Sequence, residues 1–246
     1  MIKLLNMMPN ISINYSPNFS TIRRNSKNIK FIVIHYTGMN SEIKAINRLT
    51  DVNSKVSCHY FIKNNGQIIL MVPDNYIAWH AGKSYWGGYK FLNKFSIGIE
   101  IQNAGHENQY RSFNKKQIDS IVKLCSFLKK KYKIKKKNII GHSDISYERK
   151  NDPGEKFPWK FLGDKNLTIW HDVNKTKLKQ LTRLKISKFE KIEFMKNLKK
   201  IGYKVLANFR LSKKLVLAFQ RRFRPNLIDG IIDKECLELS RNLRKK

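Results

Sequence analysis

The chain has 246 residues, enough for one substantial core and a smaller second unit, and 41% of them are apolar, which excludes a disordered chain. Lysine and arginine total 50 against 18 acidic residues, a formal net charge of +32 that favours encounters with nucleic acid, anionic lipid or an acidic polymer. Lysine, isoleucine and asparagine are all abundant, as when a coding bias inflates lysine, and the cluster KKKYKIKKK (129 to 137) falls at a helix end or turn, where it is solvated surface.

No helix-turn-helix, zinc-finger or RNA-binding signature accompanies the charge, so no specific nucleic-acid partner is expected. The three cysteines, Cys58, Cys125 and Cys236, are odd in number and far apart, which argues against a disulfide framework or a cysteine zinc site. No apolar run reaches the roughly 18 residues of a membrane-spanning helix. The opening MIKLLNMMPN is too short for a convincing export signal, and no cysteine follows it for a lipid anchor.

In chain order, KFIVIHYT (30 to 37) predicts a buried strand that delivers His35 at its C-terminal end, where ligand sites of open α/β sheets gather. SEIKAINRLTD (41 to 51) predicts a helix capped by Ser41. SCHYFIK and QIILMV flank Asn64-Asn65-Gly66, a hairpin signal. In FSIGIEIQN (95 to 103), Ile97, Ile99 and Ile101 alternate with Gly98, Glu100 and Gln102, so Glu100 faces away from the packed side.

From Asn114 the apolar period becomes helical through Ile118, Ile121, Val122, Cys125 and Leu128, and Asn114 with Gln117 forms a capping box. NII (138 to 140) is a further short strand, and GHSDISYERKNDPG (141 to 154) reads as a loop between Gly141 and Pro153-Gly154. The lysine- and threonine-rich stretch 173 to 186 is the candidate linker. Beyond it, three helical stripes are expected: Phe189, Ile192, Met195, Leu198 and Ile201; then Leu215, Leu217, Ala218 and Phe219; then Cys236, Leu237, Leu239 and Leu243.

His142 and Asp152 share one loop, and the strand ending in His35 can lie beside the strand feeding His142. Two imidazoles and one carboxylate would leave a tetrahedral Zn²⁺ an open fourth position, the pattern of a catalytic site. Each residue taken singly has an ordinary alternative: a surface or core histidine, an exposed carboxylate at Glu100, one lysine among many at Lys150. Their conjunction raises the joint reading.

VIHYTG (33 to 38), SCHYFI (57 to 62), AWHAG (78 to 82), SIGIEIQN (96 to 103) and GHSDISYERKNDPG with FPW (157 to 159) together resemble the zinc-dependent N-acetylmuramoyl-L-alanine amidases of the AmpD and peptidoglycan-recognition type. The resemblance covers about residues 28 to 172 in the family's order. It implies an α/β fold with a mixed sheet flanked by helices and one Zn²⁺ held by His35, His142 and Asp152. The implied reaction is hydrolysis of the amide between N-acetylmuramic acid and L-alanine of peptidoglycan or its anhydro-muropeptide fragments. Glu100 matches the general base and Lys150 the cation near the scissile carbonyl. Trp79 and His80 fall in AWHAG, which in the family lies beside the cleft, so contact with sugar or peptide is expected, core packing being the ordinary alternative for Trp79. Tyr36 is expected to pack in the core and His59 to be structural, while His106 and His171 have no nameable partner. A non-catalytic peptidoglycan-recognition protein of the same fold is the alternative.

LKKIGYKV (198 to 205), LAFQRRFRP (217 to 225) and DGIIDKECLELS (229 to 240) resemble the small helical peptidoglycan-binding module often joined to wall hydrolases; an ordinary three-helix bundle is the plainer reading. The expected organisation is an N-terminal extension (1 to 27), a catalytic domain (28 to 172), a linker (173 to 186) and a three-helix domain (187 to 246), acting as a monomer. The wall-binding tail favours the periplasm or cell envelope, and the missing export signal the cytoplasm.

Overall fold

The computed structural model describes residues 11–206 and 212–246, so the opening decapeptide considered as an export signal lies outside the described residues. The strands are β1 (Ile11–Ile13), β2 (Phe19–Ser20), β3 (Phe31–Tyr36), β4 (Tyr60–Ile62), β5 (Ile68–Leu70), β6 (Ile77–Ala78), β7 (Tyr85–Trp86), β8 (Tyr89–Lys90), β9 (Ser96–Ile101) and β10 (Ile139–Gly141). The helices are α1 (Glu42–Thr50), α2 (Lys115–Tyr132), α3 (His142–Ile145), α4 (Trp159–Asp164), α5 (Lys175–Leu181), α6 (Lys188–Ile201), α7 (Lys213–Phe223) and α8 (Lys234–Leu243).

Six strands form a mixed sheet in the order β1-β5-β4-β9-β3-β10, with only the β4–β5 hairpin antiparallel. Alternation along the strands divides the side chains between two faces. Ile32, Ile34, Ile97, Ile99 and Ile101 pack with Ile121, Leu124, Cys125 and Leu128 of α2 on one face. Phe31, Val33 and Ile140 face the other way, into a core shared with the C-terminal helices. Helix α1 covers the same side near β4 and β5, through Ala45 and Leu49 against Phe61 and Ile69. His35 and Glu100, two residues beyond Val33 and Gly98, therefore emerge on this second face.

Helix boundaries follow the local chemistry. The Ser41 side chain accepts from Lys44 N–H at the start of α1, and α2 opens on the reciprocal Asn114–Gln117 box.

The structure departs from the sequence expectations at four places. The N-terminal extension is part of the catalytic body: β1 adds a parallel strand to β5, and Arg24 is buried, donating to the Ser96 carbonyl at 2.7 Å and contacting His59 at 2.8 Å. The loop after Gly141 begins with the single turn α3, where Asp144 accepts from the Gly141 N–H at 2.8 Å and holds the turn closed. The supposed linker contains α5, capped by Asn174 and anchored by buried Leu178. Phe189 is 84% exposed, because α6 buries Phe194, Met195, Leu198 and Ile201 instead; five residues at 100° each put Phe189 about 140° around the helix from Phe194.

The C-terminal helices share one buried cluster with the sheet. Phe194, Leu198, Tyr203, Phe219 and Leu237 belong to the same buried cluster as Phe31, Val33, Trp86 and Ile140. At the end of α6, Gly202 has φ 137°, and a Cβ there would lie 2.5 Å from the Trp86 ring. The backbone can approach that indole only with glycine.

Candidate active site

Parallel pairing sets the site. Gly141 of β10 lies opposite Ile34 of β3, so His142 and His35 leave neighbouring strand ends together. Cys58, Phe61 and Ile69 pack below, while the 142–154 segment folds back so that Ser143 N–H donates to the Asp152 carbonyl at 2.8 Å. Asp152 thereby joins the two histidines.

Three ligating atoms converge: His35 Nδ1 and His142 Nδ1 are 3.0 Å apart, and Asp152 Oδ2 lies 2.9 Å from the first and 3.0 Å from the second. All three residues are buried. Burial, reinforced by the facing His142, lowers the pKa of His35 to about 4, so its ring is neutral near pH 7. Burial alone would raise Asp152, but His142 and His35 outweigh it and hold the carboxyl well below the usual range.

The other ring nitrogens fix the tautomers of His80 and His35. The Ser96 hydroxyl donates its proton to the Leu92 carbonyl at 2.7 Å, so Ser96 Oγ accepts from His80 Nε2–H at 3.1 Å. His80 Nδ1 must then accept from His35 Nε2–H, at 3.0 Å. His142 Nε2 lies 3.3 Å from the Ala81 carbonyl, which can only accept, and 3.4 Å from Arg149 Nη2, which can only donate. His35 Nδ1 consequently carries a lone pair, and with the Asp152 carboxylate and His142 Nδ1 it forms a close triangle of ligating atoms. In that triangle the His35 lone pair and the Asp152 carboxylate, 2.9 Å apart, repel unless a positive group sits among them. The triangle's edges approach the about 3.3 Å separating tetrahedral ligands at zinc's bond lengths, and two histidines with one carboxylate are a zinc donor set. The residues present fit the metal.

Glu100 stands opposite His35 in the register of β3 and β9. Its Oε2 is buried and without a hydrogen-bond partner. Burial, then the charge of Asp152, raises its pKa well above the usual carboxylate value, against the opposing pull of Lys150. The expected catalytic and ligand residues line one cleft of about 480 Å³, and Trp79, His80 and Lys150 line it too. Trp79 is 36% exposed there, while His80 spends both ring nitrogens on His35 and Ser96.

His59 is fully buried and structural, accepting from Gly98 N–H at 3.0 Å through Nδ1. Tyr36 packs against the core with its ring, and its hydroxyl donates to His106 Nδ1 at 2.8 Å on the cleft wall. His106 also meets Glu155 at 2.9 Å, the partners its sequence context did not disclose.

With this geometry established, similarity to characterised proteins decides the family. The family model described as "N-acetylmuramoyl-L-alanine amidase" matches residues 25–155. The chain belongs to this amidase family. It is 33% identical over 232 residues to the N-acetylmuramoyl-L-alanine amidase AmiD of Escherichia coli, covering 89% of this chain and 83% of that protein. The 1,6-anhydro-N-acetylmuramyl-L-alanine amidase AmpD of Haemophilus influenzae is 35% identical over 162 residues, covering 58% of this chain and 85% of AmpD. The structure of E. coli AmiD with the substrate anhydro-N-acetylmuramic acid-L-Ala-D-gamma-Glu-L-Lys superposes with a TM-score of 0.77 at 30% identity, covering 92% of this chain and 91% of that one. AmpDh3 of Pseudomonas aeruginosa, in complex with anhydromuramic pentapeptide, gives 0.77 at 27% identity, covering 95% and 98%. Both AmiD and AmpDh3 extend over the C-terminal helices, so the helical module belongs to the shared architecture.

Proposed function

We propose that the protein is a zinc-dependent amidase that hydrolyses the bond between the lactyl carbonyl of N-acetylmuramic acid and the nitrogen of L-alanine in peptidoglycan or its anhydro-muropeptide fragments. The observation that carries this reading is the close triangle of ligating atoms from His35, His142 and Asp152 with the unpartnered Glu100 Oε2 beside it on one cleft.

Zn²⁺ would be held by His35, His142 and Asp152 and would supply a Lewis acid that lowers the pKa of water to about 7. Glu100 takes a proton from the attacking water and returns it to the departing L-alanine nitrogen. Its pKa, raised by burial and by Asp152, favours keeping the proton taken from water until nitrogen receives it. The Lys150 ammonium faces the charge that develops on the carbonyl oxygen. Trp79 offers an apolar face to the sugar or to the stem peptide.

The C-terminal helices are proposed to hold the polymer as well, which would raise the local concentration of enzyme on an insoluble wall. Incubation with a soluble anhydro-muropeptide tests the reaction: release of a stem peptide with a free L-alanine amino group is expected, and zinc-loaded protein that releases none would favour the recognition alternative.

A further inference from the structure

The segment AWHAG (78 to 82) borders the cleft, where sequence resemblance assigns His80 to the substrate. Its bonds point elsewhere. His80 Nδ1 accepts from the Nε2–H of one ligand histidine, His35, at 3.0 Å, and the next carbonyl, that of Ala81, faces the Nε2 of the other, His142, at 3.3 Å. The backbone that presents both groups is itself tied down: Asn93 Oδ1 accepts from His80 N–H at 3.1 Å and from Ala81 N–H at 2.7 Å. The His80 ring is seated against β9 where the strand has no side chain, since a Cβ on Gly98 would lie 2.4 Å from the His80 ring. Its far nitrogen ends on Ser96, which is fully buried and fastened to the Leu92 carbonyl.

We propose that this segment is the positioning element of the metal centre, with the His80 ring fixing the tautomer and orientation of His35 and the Ala81 carbonyl, which also accepts from Arg149 Nη2 at 2.6 Å, bordering His142. The inference rests on the zinc reading above. Gly98, Ser96 and Asn93 then act together to seat the His80–Ala81 pair. Outer groups of this kind commonly change metal affinity about 10–100-fold.

The experiment is zinc binding to the metal-stripped full-length chain, followed by competition with a chelating dye, with folding checked by circular dichroism. His80→Leu should weaken zinc about 10–100-fold. His80→Asn, whose Oδ1 can accept from His35 Nε2–H in place of Nδ1, should recover much of that loss. Ser96→Ala, at a buried position no substrate can reach, should weaken zinc in the same direction by several-fold, as about one lost orienting hydrogen bond would. Unaltered zinc affinity in folded His80→Leu and Ser96→Ala, with only KM for the anhydro-muropeptide raised in the former, would overturn the inference and return His80 to the substrate. Wild-type protein that binds no zinc would instead refute the metal centre itself.

Discussion

Replacing Arg222 by methionine asks how the C-terminal helices and the catalytic body depend on each other. Arg222 is 2% exposed, and its Nη1 lies 2.5 Å from Oδ2 of Asp144, two residues after His142. Nη2 donates to the Ile139 carbonyl at 3.0 Å and to Thr168 Oγ1 at 2.8 Å, and the guanidinium sits 4.4 Å from the centre of the Trp159 ring. Tyr203 completes the cluster by donating to Asp144 Oδ1 at 2.6 Å.

Methionine keeps the aliphatic stem but leaves Asp144 buried with only Tyr203 and the Gly141 N–H. Breaking a buried pair from one side costs about 3–5 kcal/mol, because the remaining charge is stranded. At roughly 2–4 °C per kcal/mol for a chain of this size, the melting temperature should fall by roughly 6–20 °C. Arg222→Met with Asp144→Asn, which removes both charges, should regain much of that loss. Thermal and urea unfolding followed by circular dichroism and tryptophan fluorescence gives the numbers. Since one buried cluster joins the C-terminal helices to β3 and β10, the wild-type chain should unfold in a single transition. A loss below about 1 kcal/mol, as for an exposed pair, or two separate wild-type transitions, would show that no such coupling exists.

Glu100→Ala should keep zinc and lose activity by about 10²–10⁴-fold, measured by metal content and product release on one sample. His142→Ala should lose both zinc and activity; activity persisting without the metal would contradict the ligand assignment. Lys150→Ala should lower kcat by about 10²–10³-fold with zinc retained, as expected for a lost charge facing the oxyanion. Asp74 accepts from Tyr60, Lys131 and Tyr132. Burial alone would raise its pKa, but Lys131 and the two hydroxyls outweigh it and place it below 3.8. A depressed folded-state value stabilises above the unfolded pKa and is lost as pH falls through the folded one. Melting temperature should therefore drop as pH falls below about 4, and Asp74→Asn should flatten that drop.

The parts of the site carried by strand patterning were legible in the sequence. His35 ends the continuous apolar run of KFIVIHYT, Glu100 sits where a period of two in FSIGIEIQN decides the face, and the Asn114–Gln117 box marks the helix opposite. What escaped depends on partners remote in sequence. Arg222 and Asp144 are 78 residues apart, and nothing local in FQRRF says that one arginine is buried and the other partly so. The edge strand β1 is three residues long, too short for periodicity to reveal. Phe189 shares the helical spacing of Ile192 and Met195, yet packing against α8 chose the neighbouring face, where buried Asn197 donates to Ser240 Oγ at 3.0 Å. The AWHAG motif puts His80 at the cleft, but the direction of its ring bonds depends on the positions of Ser96 and His35.

The amidase reading meets its sharpest test in mass spectrometry of the products formed when zinc-loaded protein meets purified peptidoglycan and, in parallel, a soluble anhydro-muropeptide. Stem peptides bearing a free L-alanine amino terminus, absent after metal removal and restored by zinc, are the predicted result. Bound zinc with intact muramoyl–L-alanine bonds in both substrates would contradict it.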